Sequence, residues 1–285
     1  MVLWFEYENN PDEAWYEVTE TYTKRSLTEP KDKFPAISSI AKDVQKRRSQ
    51  TYYARIWANR LVRGLLWFPT QHGLCQQSVE RAPSWSWAPF DGAIQHFLDH
   101  DILRSDFRFI DLQRTLPTQG QGCVDWPEGP GSLTIQASMK KIPFLQLPPK
   151  HRKKPSGVRW ILRHSLPHET VWKAYDPSRK LLNGEIGWIC FDAGTCGKSS
   201  GATANERHNS ELGSSGIDQN LGSLESFYCV KIAVSEPYPR KHYGCLALVL
   251  TRADDASEDY RRVGTGQIYF RDWFSYARSS VITIF

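Results

Sequence analysis

From residue 107 onward, apolar residues come in short runs: FRFIDLQ, SLTIQAS, GVRWILR, GEIGWICFDAG, FYCVKIAVSE, YGCLALVLT, TGQIYF and SSVITIF. Each is strand-length and rich in β-branched or aromatic residues. The connections hold Pro, Gly and Asp, as in DWPEGPGS and SEPYPRKHYG. Parallel pairing needs a crossover of a dozen or more residues, usually an amphipathic helix. No such segment alternates with these runs, so they must pair antiparallel, as a sandwich or a barrel.

The first third has a different period. In NPDEAWYEVTETYTKRSLT, Asn10 can cap, Pro11 suits the first helical position, and Asp12 and Glu13 complement the positive end of the dipole. Trp15, Val18 and Tyr22 then share one face. In KDKFPAISSIAKDVQKRR, Phe34, Ile37, Ile40, Ala41 and Val44 form a helical stripe. TYYARIWANRLVRGLLW places Tyr53, Ile56, Trp57, Leu61 and Leu65 at similar spacing, predicting a third helix that Gly64 weakens near its end. The chain therefore reads as α+β. A helical segment over 1–80 precedes a mainly antiparallel β-rich domain over 81–285 packed on it. Residues 194–223, dominated by Gly, Ser, Asn and charge, have too little apolar surface to offset their ordering entropy and read as a disordered loop.

Several function classes find no support. The formal charge of +5 is spread out, apart from KHRKK at Lys150 to Lys154. That run lacks the interleaved aromatics of a nucleic-acid surface and reads as a solvated, Pro-bounded loop rather than an import signal. Neither a membrane-length apolar run nor a signal-peptide pattern is visible, so the expected location is cytoplasmic. The six cysteines include no C-x-x-C, and Cys190, Cys229 and Cys245 sit in strand-like runs as small buried hydrophobes. No metal or cofactor is expected. G-x-S-x-G is absent, and GTCGKSS lacks the spacing of a phosphate-binding loop. His96 and His100 are four apart, but Phe97 stands where a zincin needs Glu, so they read as a surface pair near a turn. The run Asp254 to Asp259 reads as a solvated hairpin tip.

One stretch remains, RAPSWSWAPFDG, with Arg81, Pro83, Trp85, Trp87, Asp91 and Gly92 as its fixed points. It resembles the R-A-P-S-W-S-W-A-s-x-D-G signature of fungal heterokaryon-incompatibility (HET) domain proteins, where it lies downstream of the HET domain. The resemblance extends backwards in order. AWYEVTETYTKRSLTEPKDKFPAISSIAKDVQ is similar to the family's W-x-x-[LI]-V-x-x-Y-[ST]-x-R-x-L-T-x-P-x-D-[KR]-L-P-A-[IL]-S-G-[IL]-A segment, and YYARIWANRLVRGLLWF to its Y-x-A-G-[LI]-W-x-x-x-L-x-x-x-L-L-W segment. Ser39 and Arg55 stand where that pattern has Gly, and Pro89 where it has Ser. The HET domain's own Y-x-A-L-S-Y-x-W-G and W-I-D-x-x-C-I-N-Q motifs have no counterpart, so the chain reads as a fragment or a stand-alone relic.

The resemblance implies a non-catalytic accessory region with a role in fungal non-self recognition and cell-death control. Its implied partner is a HET domain or another protein on the N-terminal helices, which should then expose an apolar patch. The alternative is a β-rich module whose Trp residues stack on a carbohydrate or other small ligand. Exposure of Trp85, Trp87, Trp160, Trp172 and Trp188 distinguishes the two. Pro83 disfavours helix at Ala82, and in an extended chain Trp85 and Trp87 point to one face. Both rings are expected to bury where the helical layer joins the β-rich part, with Asp91-Gly92 turning the chain afterwards.

Overall fold

The computed structural model describes residues 11–25, 33–48, 50–70, 75–76, 82–114, 131–142, 160–163, 185–192, 226–235, 244–254, 257–269 and 271–285. The basic run at 150–154, the Gly/Ser-rich segment at 194–223 and the side chain of Arg81 lie outside them.

Helix α1 spans Pro11–Thr23 and α2 spans Lys33–Arg48. The buried stripe of α1 is Trp15, Thr19 and Thr23, flanked by Ala14 and Tyr16, while Val18 and Tyr22 stay half-buried. Two threonines can sit inside because each hydroxyl is bonded to backbone: Thr19 Oγ1 donates to Trp15 O (2.9 Å) and Thr23 Oγ1 to Glu20 O (3.1 Å). On α2, Ile37, Ala41 and Val44 are buried and Ile40 is exposed.

The third predicted helix does not form as such. Its residues make a hairpin of β1 (Tyr52–Tyr53) and β2 (Ile56–Trp57), a 3-10 turn at Ala58–Arg60, and one helical turn, α3, at Leu61–Leu65. The hairpin turns through Ala54 (φ 43) and Arg55 (φ 73), the left-handed conformations of a tight two-residue loop. Spacing misleads here because the apolar residues serve two cores. Trp57 packs with the helices, whereas Ile56 and Leu65 pack with the sheet. Gly64 is required by that crossing, since a Cβ there would lie 2.2 Å from Ile56 Cγ2.

Strands β3 (Trp67–Pro69), β4 (Cys75–Gln76), β5 (Phe90–Asp91) and β6 (Ile94–His96) follow, with β3 paired to β6 and β4 to β5. Gly92, at φ 129, turns the chain from β5 to β6 as Asp91-Gly92 predicts. Then come β7 (Ile102–Ser105), β8 (Phe107–Arg114), β9 (Gly131–Lys141), β10 (Trp160–Arg163) and β11 (Glu185–Phe191). The last four are β12 (Phe227–Ser235), β13 (Gly244–Arg252), β14 (Tyr260–Ile268) and β15 (Arg278–Ile284). Each of the eight predicted runs overlaps one of the strands β8 to β15.

The large sheet is antiparallel except at one place. Its pairings run β14 to β13 to β12 to β9 to β15, and a parallel contact, Tyr260 with Ile284, returns β15 to β14 and closes a ring. β7 pairs with β12 and β8 with β9, the chain switching partner at Asp106, whose N–H donates to Ile232 O (2.8 Å). The central strand β13 is covered on both faces. Leu246, Leu248 and Leu250 enter one core with Leu133, Ile135 and Ile282, while Cys245, Ala247 and Val249 enter another under Trp273 and Phe274. A strand buried on both sides reads as a continuous apolar run, as GCLALVLT does. The predicted hairpin tip joins β13 to β14. Ser257 N donates to Asp254 Oδ1 (2.6 Å), and Asp259 N to Ser257 Oγ (2.9 Å).

Candidate functional site at the seam between layers

The RAPSWSWAPFDG stretch lies between the helical layer and the ring. From Ser84 to Pro89 its backbone is a series of turns rather than an extended chain, and only Phe90 and Asp91 lie in a strand. Ser86 N donates to Pro83 O (3.0 Å) and Phe90 N to Trp87 O (3.2 Å). Ser84 and Trp85 thereby engage the ring, Ser86 the hairpin, and Trp87 the helical cluster.

Ser84 reaches the ring at its weakest point. Its N–H donates to Phe285 O (2.9 Å), its hydroxyl donates to the same oxygen, and that hydroxyl accepts from Arg262 N (3.0 Å). Because β14 and β15 pair directly only at Tyr260, Ser84 continues the bridge where they part. The Trp85 ring enters the ring's core, and its Nε1 donates to Gly131 O at the start of β9 (3.2 Å). Its carbonyl accepts from Trp67 Nε1 (3.2 Å). Ser86 Oγ donates to Ala54 O in the left-handed turn (2.6 Å) and accepts from Ala88 N (3.1 Å). Trp87 enters the other cluster, with Trp15, Ile37, Trp57 and Trp67. Both Trp residues are 1% exposed, as expected, but they enter separate clusters because the turns rotate one away from the other.

Beside this stretch is a buried ion pair that the sequence reading passed over. Arg262 Nε donates to Asp192 Oδ2 (2.9 Å) and Nη2 to Asp192 Oδ1 (3.1 Å), a bidentate fork. Its remaining donors reach across the seam, Nη1 to Leu65 O and Nη2 to Trp67 O (2.5 Å). The guanidinium carbon lies 3.6 Å from the Trp67 ring centroid. Burial pulls Arg262 down and pushes Asp192 up from their ordinary values, each opposed by the other's charge. One side chain thus ties β14, β11 and the β3 segment together. A signal was present in the sequence: Arg262 has the same strand parity as buried Tyr260, and Asp192 ends the apolar run ICF.

A second polar group joins α1 to β6. His96, expected near the surface, is a strand residue only 2% exposed. Its backbone N–H donates to Glu20 Oε1 (2.8 Å), and its Nδ1 lies 3.3 Å from the same oxygen. The Tyr16 ring packs on the imidazole with centroids 4.7 Å apart, and Arg63 stacks on Tyr16 at 4.0 Å. Arg63 forms a fork with Glu13 (Nη2 to Oε1, 2.9 Å) and also reaches Asp99 (3.4 Å).

An oriented Glu–His pair is half of a catalytic arrangement, but a base must reach a substrate proton. This imidazole is enclosed. The buried thiols fare no better as nucleophiles, since burial pushes Cys229 and Cys245 up and keeps them protonated. Among the described residues, no group of three His, Cys, Asp or Glu side chains could hold a metal.

Burial of His96 has a testable consequence. Desolvation holds its pKa below the ordinary 6.5, the Glu20 carboxylate opposing and the Arg63 and Arg262 charges reinforcing. The unfolded chain therefore binds a proton near pH 6.5 that the folded chain refuses. Its contribution is present above that pH and is lost as pH falls toward the folded value. Urea unfolding between pH 7.5 and 5.5 should show stability falling by up to about 1.4 kcal/mol per pH unit from this residue. His96→Gln should flatten that slope, and an unchanged slope would place the titration elsewhere.

Trp15, Trp57, Trp67 and Trp188 are as buried as Trp85 and Trp87, which leaves those rings no face for a ligand. The side chains of Trp160 and Trp172 lie outside the described residues. The apolar patch expected on the N-terminal helices is not found on the described parts of α1 and α2, where Ile40 is the exposed large apolar side chain. No described helix is long and apolar enough to cross a membrane. Comparison with known proteins finds no family model, no curated protein and no solved structure that matches this chain.

Proposed function

We propose that the chain is a non-catalytic accessory region of a HET-type protein, with a role in fungal non-self recognition and cell-death control. The observation that carries the reading is the convergence of two segments that resemble that family. The YYARIW turn and the SWSW stretch meet through Ser86 Oγ and Ala54 O. Arg55, at φ 73, stands where the family pattern has Gly, the residue that conformation favours. A motif whose residues Ser84 to Trp87 contact both layers serves as architecture. The enclosed His96 and the protonated thiols support the non-catalytic part.

Two arms of one experiment test the proposal. The purified chain, incubated with nucleotides, esters and glycosides, should give no turnover above the blank. Titrated with a separately produced HET domain, it should bind, and Ile40→Glu on α2 should weaken that binding. Turnover that survives further purification would overturn the non-catalytic claim, and absence of binding would overturn the partner.

A further inference from the structure

The edge strand β8 has a register in which it is complementary to itself, and we propose that two copies of this chain pair antiparallel through it. Among the described residues β8 pairs with β9 on one side and with no strand on the other. That edge is unusually apolar for an open one: Phe109 is 47% and Ile110 43% exposed.

The register follows from a bulge. Phe109 stands opposite Ile135 and Asp111 opposite the adjacent Thr134, so Ile110 is an extra residue. On one side of it, Arg108 lies opposite Gln136, which pairs with exposed Val281 on the outer face. On the other side, Asp111 lies opposite Thr134, whose hydroxyl meets that of Thr283 on the same face (3.2 Å). The bulge therefore puts Arg108 and Asp111, both exposed, on one face. It likewise puts Phe107 and Leu112, opposite Ala137 and Leu133, on the core face.

A two-fold axis between Phe109 and Ile110 then sets Arg108 against Asp111 twice, Phe109 against Ile110 twice, and Phe107 against Leu112 twice. Opposite charges and apolar pairs that face each other directly are what stabilise a strand pair. Neighbouring registers fail. An axis on Phe109 or on Ile110 pairs core-facing with outward-facing residues, and an axis on Arg108 or Asp111 sets like charges together. A bulge ordinarily blunts an edge. Here it lies on the axis, where it faces its own copy, and the flanking residues pair. The Asp111 Oδ1 that accepts from Leu112 N (2.8 Å) leaves Oδ2 for the partner's arginine.

Sedimentation equilibrium of the full chain tests this up to about 200 µM, because a two-strand contact belongs to the small, weak interfaces. The wild type should dimerise. Arg108→Asp and Asp111→Arg should each weaken the dimer roughly tenfold or more by opposing like charges. Mixing the two variants should restore a heterodimer, since each then supplies the charge the other lacks. Ile110→Lys, on the axis itself, should also give monomer, and circular dichroism of each variant verifies folding. A monomeric wild type, single variants that still dimerise, or folded variants that fail to associate on mixing would overturn the proposal.

Discussion

Asp192→Ala is expected to destabilise the chain by about 3–5 kcal/mol, because it leaves the Arg262 guanidinium buried without its counter-charge. Arg262 is completely enclosed, and the Asp192 carboxylate is its sole anionic contact among the described residues. The carbonyls of Leu65 and Trp67 would still accept its hydrogen bonds, but dipoles do not replace a charge. The reverse change, Arg262→Met, orphans Asp192 and also frees those two carbonyls, so it should cost at least as much. In the double variant no buried charge remains. Its loss should be less than the sum of the single losses, by a coupling of about 1–3 kcal/mol for residues in one network. Urea unfolding of the four proteins measures this, and strict additivity would mean that the fork contributes nothing.

Trp85→Ala should lower stability by a similar amount, about 3–5 kcal/mol, the range for a large aromatic removed from a core. The indole is buried among the ring's apolar residues, and its loss also leaves Gly131 O without that donor. The effect should be felt in both layers, because repacking around the missing indole shifts the backbone carbonyl that accepts from Trp67 Nε1, and Trp67 belongs to the helical cluster. Trp85→Phe keeps most of the packing while losing the N–H, so it should cost clearly less than alanine. Thermal and urea unfolding check both. A Trp85→Ala protein as stable as the wild type would remove this residue from the structural account.

Much of this architecture was legible in the residues. The runs of β8 to β15 could be read because each is short, apolar and bounded by turn residues, and their antiparallel pairing followed from the lack of crossover helices. The helices α1 and α2 were legible from apolar residues at helical spacing, although the face that α1 buries is Trp15, Thr19 and Thr23 and Ile40 of α2 is exposed. The segment at 52–67 was not. Its spacing imitates a helix while its side chains alternate between two cores, and its turn at Ala54–Arg55 lacks the Gly or Asn that normally announces left-handed backbone. The place of His96 is not legible from its spacing to His100, because its partner, Glu20, comes from α1. Burial of SWSW was foreseeable from its apolar rings, but the separation of the rings depends on turns set by hydrogen bonds with distant residues. Arg262 and Asp192 are the clearest omission, since a charge at core parity in an apolar strand demands a partner.

Because the Ser84–Trp87 stretch and the Arg262 fork tie the helical layer to the ring, the two should open as one cooperative unit. Hydrogen exchange by mass spectrometry on wild type and Trp85→Ala tests it most directly. Amides of α1, β9 and β14 should lose protection together and by a similar factor in the variant. Loss confined to the ring, with α1 protected as in the wild type, would contradict it.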